Sequence, residues 1–218
     1  GFQPYYGAVN ANSTNPTITH NAIRHSGHNH GRTSCNGVNL SSSNSIVSDN
    51  IFEDVIGTGI YVDGESSPEI SGNTFFGVGY YGIYIDGGSS NVIYQNTITV
   101  DGSSMDHGIY NTSDSTAIYD NTLDGGSDGI YLMSCSHNSL YANTIKNVSS
   151  EAIYINEGEN HLISNNTIEN ARHGILLYMN AHNNIIKNNM LTEIGPESSS
   201  SSYGIWLDYV SSSYPQNN

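Results

Sequence analysis

The sequence predicts an all-β chain wound as a single right-handed parallel β-helix, a solenoid of about eight coils with roughly 23 residues per coil. Three observations predict it. An Asn recurs at near-constant spacing, flanked by apolar residues at fixed offsets. A small residue followed by apolar, variable, apolar recurs once in every coil. The composition is poor in charge, at 11%, and rich in Asn, Gly, Ser, Thr and Tyr, which suits short strands joined by tight turns.

The recurring Asn stands at Asn21, Asn50, Asn73, Asn96, Asn121, Asn143, Asn166 and Asn189, at intervals of 29, 23, 23, 25, 22, 23 and 23. Three residues before it sits an aliphatic residue, from Ile18 to Ile186, and two after it another apolar one, from Ile23 to Leu191. At a coil corner such an Asn is expected to adopt the left-handed conformation that costs other residues more. Its side-chain amides are expected to stack and hydrogen-bond along the column.

The second signature runs GVNL at 37–40, GIYV at 59–62, GIYI at 82–85, GIYN at 108–111, GIYL at 129–132, AIYI at 152–155, GILL at 174–177 and GIWL at 204–207. Its period of two is that of a strand with one buried face. No single coil can bury that face alone; stacking coils at about 4.8 Å per step makes one continuous core. The variable position faces outward, which lines up Tyr61, Tyr84, Tyr110, Tyr131, Tyr154, Leu176 and Trp206. A shorter outward column holds Tyr94, Tyr119 and Tyr141. Such a stripe reads as strand stabilisation, as a protein interface or as a sugar platform.

Residues 1–218 read as one domain: a lead-in over 1–16, coils over 17–209 and a tail over 210–218, with the Ser run at 198–202 a loop of the last coil. Neither end carries helical periodicity for a cap. Either a neighbouring copy covers them or the chain is a fragment.

The segments NTFFGVGYYGIYIDGGSSNVIYQN (73–96) and NTIENARHGILLYMNAHNNIIKNN (166–189) resemble the repeat of the pectin-lyase-like superfamily, in particular its NosD-type or CASH repeats. The resemblance covers roughly residues 17–209 and rests on core and corner positions. It implies the β-helix. For function it implies a range: polysaccharide lyases, hydrolases and epimerases, carbohydrate-binding proteins, a periplasmic copper-site assembly factor, and surface proteins.

The charge is −15, from 20 acidic and 5 basic residues. This disfavours nucleic acid and anionic polysaccharide unless a cation intervenes. It leaves neutral glycans, divalent cations, other proteins or copies of the chain itself as expected partners. No apolar run reaches the roughly 18 to 20 residues of a membrane span. Four sequons, at Asn12, Asn111, Asn147 and Asn165, together with an opening Gly1 in place of Met, suggest an exported, extracellular or cell-surface chain.

Chemistry-bearing candidates are few. Asp63 and Asp86 each follow a G-I-Y strand one coil apart; stacked carboxylates would hold a cation such as Ca²⁺ or share a proton, although Asp-Gly is also plain turn chemistry. His20, His25, His28 and His30, ahead of Cys35, have spacings a metal could use, or form a polar loop. The basic residues Arg24, Arg32, Lys146, Arg172 and Lys187 face no evident carboxylate column. Cys35 and Cys135 lie four coils apart, roughly 19 Å along the axis. That exceeds the Cα separation of about 7 Å that a disulfide spans, so free thiols or bonds between molecules are expected. The sequence therefore favours a structural protein that self-associates through its ends and its Tyr stripe. A carbohydrate-binding or carbohydrate-active β-helix is the alternative, and a periplasmic metal-handling factor a third reading. It leans away from catalysis; an enzyme with this pattern would be a polysaccharide lyase or glycoside hydrolase.

Overall fold

A computed structural model describes residues 6–25, 35–64, 67–100, 105–195, 201–210 and 213–216. Among them every strand pairs in parallel with its equivalent in the next coil, giving three faces around one core. The first face is built from Tyr6–Ala11, Cys35–Leu40, Ile60–Asp63, Tyr81–Asp86, His107–Asn111, Asp128–Met133 and Ile205–Asp208. The second runs in three-residue strands from Thr17–Thr19 and Ile46–Ser48 to Ile185–Lys187 and Tyr214–Gln216. The third runs from Ala22–Arg24 through Thr74–Phe76 to Met190–Ile194. Two strands, Thr144–Glu159 and Thr167–His182, turn the corner between third and first faces unbroken and join them into one 15-stranded sheet; the second face is a separate 9-stranded sheet. No helix among the described residues is long and apolar enough to cross a membrane.

The alternation read from the sequence explains the core. Ile18, Val47, Ile70 and their successors point in from the second face, and Ile23, Phe52, Phe75 and theirs from the third. Phe52 and Phe75 stack with ring centroids 4.7 Å apart and planes 7° apart, both fully buried. Phe75→Ala should therefore cost about 3 to 5 kcal/mol, read as a lowered denaturation midpoint with an unchanged fold. The small residue before each first-face Ile also has a cause. A Cβ on Gly59 would lie 2.6 Å from the Gly82 carbonyl oxygen and 2.6 Å from the Phe75 ring.

The eight asparagines form an unbroken amide ladder, each Nδ2 donating to the next Oδ1 at 2.9–3.0 Å. Their expected conformation is corrected. The left-handed residue is the one before each Asn, for example Asp49 (φ 56°), Gln95 (φ 54°), Asp120 (φ 54°) and Ala142 (φ 56°). These turn residues are exposed, whereas Asn50 through Asn189 are buried. The tight turn sits outside the corner, and the amide follows it inward, where it satisfies carbonyls that water cannot reach.

Cys35 and Cys135 are free and buried, 7% and 2% exposed. Burial pushes the Cys135 thiol up to about 12, against amide donation from Asn138. Thiols so enclosed are poorly placed for bonds between molecules. Asn111 is corrected as a glycan acceptor: it is fully buried, and its amide donates to the Ser113 carbonyl at 2.9 Å. Asn12, Asn147 and Asn165 are exposed.

Candidate functional site

The first face carries its outward residues in register. Tyr61, Tyr84, Tyr110, Tyr131, Tyr154, Leu176 and Trp206 follow one another coil by coil. Tyr61, Tyr84, Tyr110 and Tyr131 meet edge to face at 75°, 79° and 81°, with centroids 4.8–5.2 Å apart. Rings turned alternately leave part of their faces for another partner. The second-face column differs. Tyr94, Tyr119 and Tyr141 are parallel within 4° and 2° at 5.1 and 4.8 Å, so each ring covers its neighbour. That column is intramolecular stabilisation.

Beside the first-face tyrosines runs a second row that sequence reasoning missed: Tyr81, His107, Asp128, Glu151, His173 and Tyr203. Tyr81 pairs in register with His107, His107 with Asp128, and Glu151 with His173. The Glu151 amide donates to Asp128 Oδ1 at 3.0 Å, and the Tyr203 amide to His173 Nδ1 at 3.2 Å. Each stands immediately before the small residue of the G-I-x motif. The strand turns two successive residues inward there, as Gly82 and Ile83, which throws the preceding side chain out beside the tyrosines.

At the centre of this row His107 Nδ1 lies 2.8 Å from Asp128 Oδ2, with only 16% and 8% of the two side chains exposed. The His107 ring stacks on Tyr81 (5.5 Å, 21°) and stands edge-on to Tyr131 (4.9 Å, 73°). Burial pushes the Glu151 carboxyl up and the Asp128 carboxylate adds to this, while the Ser150 hydroxyl, donating at 2.5 Å, opposes it. The row thus sets a carboxyl raised by burial beside an aspartate side chain in contact with an imidazole. Further along, burial lowers His173, with Arg172 adding, and its ring lies over Tyr203 at 5.7 Å and near Trp206 at 5.5 Å.

The other candidates fall as follows. Asp63 and Asp86 are register partners. Asp86 Oδ2 accepts from the Tyr61 hydroxyl at 3.0 Å, and Gly64 and Gly87 behind them have φ of +86° and +80°, the turn geometry that Asp-Gly supplies. Among the described residues no group of three or more His, Cys, Asp and Glu side chains is placed to hold a metal ion. His25 Nδ1 contacts Asp54 Oδ2 at 3.1 Å, and His20 reaches Asp49 at 3.9 Å; His28 and His30 lie outside the described residues. Arg24 bonds Glu53 at 2.6 Å and Lys146 contacts Asp124 at 3.2 Å, both on the third face.

Fold and face together define a parallel β-helix of the right-handed class, with one wall bearing an aromatic column and a titratable row. A family model described as a right handed beta helix region matches residues 3–98 and 58–218, and the chain belongs to that family. Among solved structures it is similar to the periplasmic alginate epimerase AlgG and to a mutant of that enzyme. The TM-score is 0.70 for both, at 18% and 20% identity, over 95% and 94% of this chain. The alignments cover 60% and 61% of those chains, so this chain spans about three fifths of AlgG's length, and the likeness is one of fold. No curated protein sequence matches.

Proposed function

We propose that this chain is an exported, carbohydrate-active β-helix that lays a saccharide chain along its first face. The carrying observation is the row of His107, Asp128 and Glu151 in register beside the edge-to-face tyrosines. The tyrosines would stack sugar rings. Glu151, raised by burial, is suited to give a proton, and Asp128 with His107 to take one. The fold likeness to an alginate epimerase supports the substrate class without supplying the residues. Self-association through the Tyr stripe is the less supported reading, because both thiols are buried, which removes bonds between molecules as one of its motives.

Affinity electrophoresis on a panel of neutral, amine-bearing and uronate polymers, followed by assays for reducing ends and unsaturated sugars, tests it. The Tyr84→Ala, Tyr131→Ala double variant should lose retention. Asp128→Asn should keep retention and lose about 10²-fold or more in turnover. Absence of retention by every glycan would overturn the proposal.

A further inference from the structure

The charges of the first face define which saccharides it can accept. Its strands and their edges carry Asp63, Asp86, Asp128, Glu151, Glu157 and Asp208. Among the described residues the basic side chains lie elsewhere: Arg24 and Lys146 are engaged on the third face, and Lys187 stands on the second. Arg172 is exposed beside His173, three coils along the row from His107. Among the described residues no Lys or Arg pairs in register with Tyr84, Tyr110 or Tyr131, and the imidazole beside Tyr110 and Tyr131, His107, is held 2.8 Å from the Asp128 carboxylate. Burial and neighbouring tyrosines raise Tyr110 and Tyr154, with Asp86 adding at the first and Glu151 and Asp128 at the second; burial raises Tyr131 against the Asn156 amide, with Asp128, Glu151 and Glu157 adding.

We infer that the substrate of this face is a glycan free of carboxylate and sulfate groups, with amine-bearing chains held most strongly at low salt. This deepens the glycan reading above and rests on it. The physical ground is that a face whose fixed charges are mainly carboxylates, walled by aromatic rings, favours ligands of opposite or no charge over those of its own sign. The chain would thus differ in substrate charge from the alginate epimerase whose fold it shares, alginate being a polyuronate.

The test uses the full chain in affinity electrophoresis against xylan and β-glucan, chitosan oligosaccharide, and alginate and polygalacturonate, each with and without added CaCl₂. The expected result is retention by a neutral or amine-bearing polymer, with polyuronates at least about tenfold weaker. Chitosan retention should fall toward that of neutral chains as salt shortens the Debye length to about 3 Å at 1 M. Retention by a polyuronate at the same strength, in either buffer, overturns this inference and leaves the glycan reading standing. Retention by none of the polymers overturns the glycan reading itself, so the two failures are distinguishable.

Discussion

Asn121→Ala should destabilise the chain by about 5 kcal/mol, lowering the melting midpoint by roughly 10 to 20 °C for a domain of this size. Asn121 is 1% exposed, and its side chain takes part in five hydrogen bonds. Its Nδ2 donates to the carbonyls of Ile93 and Tyr119 and to Asn143 Oδ1, all at 3.0 Å, and its Oδ1 accepts the amide and the Nδ2 of Asn96, both at 3.0 Å. Alanine removes every one of these partners where no water arrives, and an orphaned buried polar group costs about 1 to 3 kcal/mol. Asn21→Ala at the exposed end of the ladder serves as the comparison. Asn21 itself is exposed and its side chain donates two hydrogen bonds, to the Thr19 carbonyl and Asn50 Oδ1, so the cost should stay near 1 kcal/mol. Denaturation followed by far-ultraviolet circular dichroism measures both. Equal midpoints for the two variants would mean that the ladder is ornament and that the apolar core alone holds the coils.

Acidification from pH 6.5 to 4 should cost about 3 kcal/mol through one side chain, His161. His161 is 1% exposed and occupies a second corner ladder with Asn91, Thr116, Asn138 and Asn184. Its Nδ1 accepts the Asn138 amide at 3.1 Å, and its own amide donates to Asn184 Oδ1 at 2.8 Å. Burial pushes its pKa down to about 4 from 6.5. The folded chain therefore resists a proton that the unfolded chain accepts below pH 6.5. The contribution is complete above that pH and is lost as pH falls toward 4. Asn stands at the equivalent place in neighbouring coils, so His161→Asn keeps the ladder and removes the titration. Melting midpoints of the two proteins, taken from pH 4 to 7, should lie together above pH 6.5 and separate in acid, where the parent protein falls below the variant. Subtracting one curve from the other also cancels Glu151, whose raised carboxyl contributes with the opposite sign. Parallel curves would sink the assignment.

Much of the fold was legible because identical residues do identical work in each coil. Ile118, eighteen positions beyond Val100, and Ile93 before it could be assigned to one column from their offsets to Asn121 and Asn96, and they are register partners. The outward position of Tyr131 followed from its place between Ile130 and Leu132. The His107 row escaped because its members share a position and no identity. Tyr, His, Asp, Glu, His and Tyr show no repeat when aligned by type, and the motif was read from its glycine onward. The signal was present one residue earlier. The second ladder escaped likewise, its Asn, Thr, Asn, His and Asn being interchangeable as hydrogen-bonding groups and unlike as letters. The turn was misplaced by one residue because the conserved letter, Asn, is the one that needs its amide inside the corner, and the exposed neighbour only needs to bend.

By itself, then, the sequence determined the period, the inward and outward sets and the stacking of coils, since burial of apolar side chains at fixed spacing admits one winding. Only the tertiary structure decided which outward side chains become neighbours. Parallel pairing brings Asp128 within reach of His107 and Glu151 across intervals of 21 and 23 residues, a contact that no period in the sequence announces.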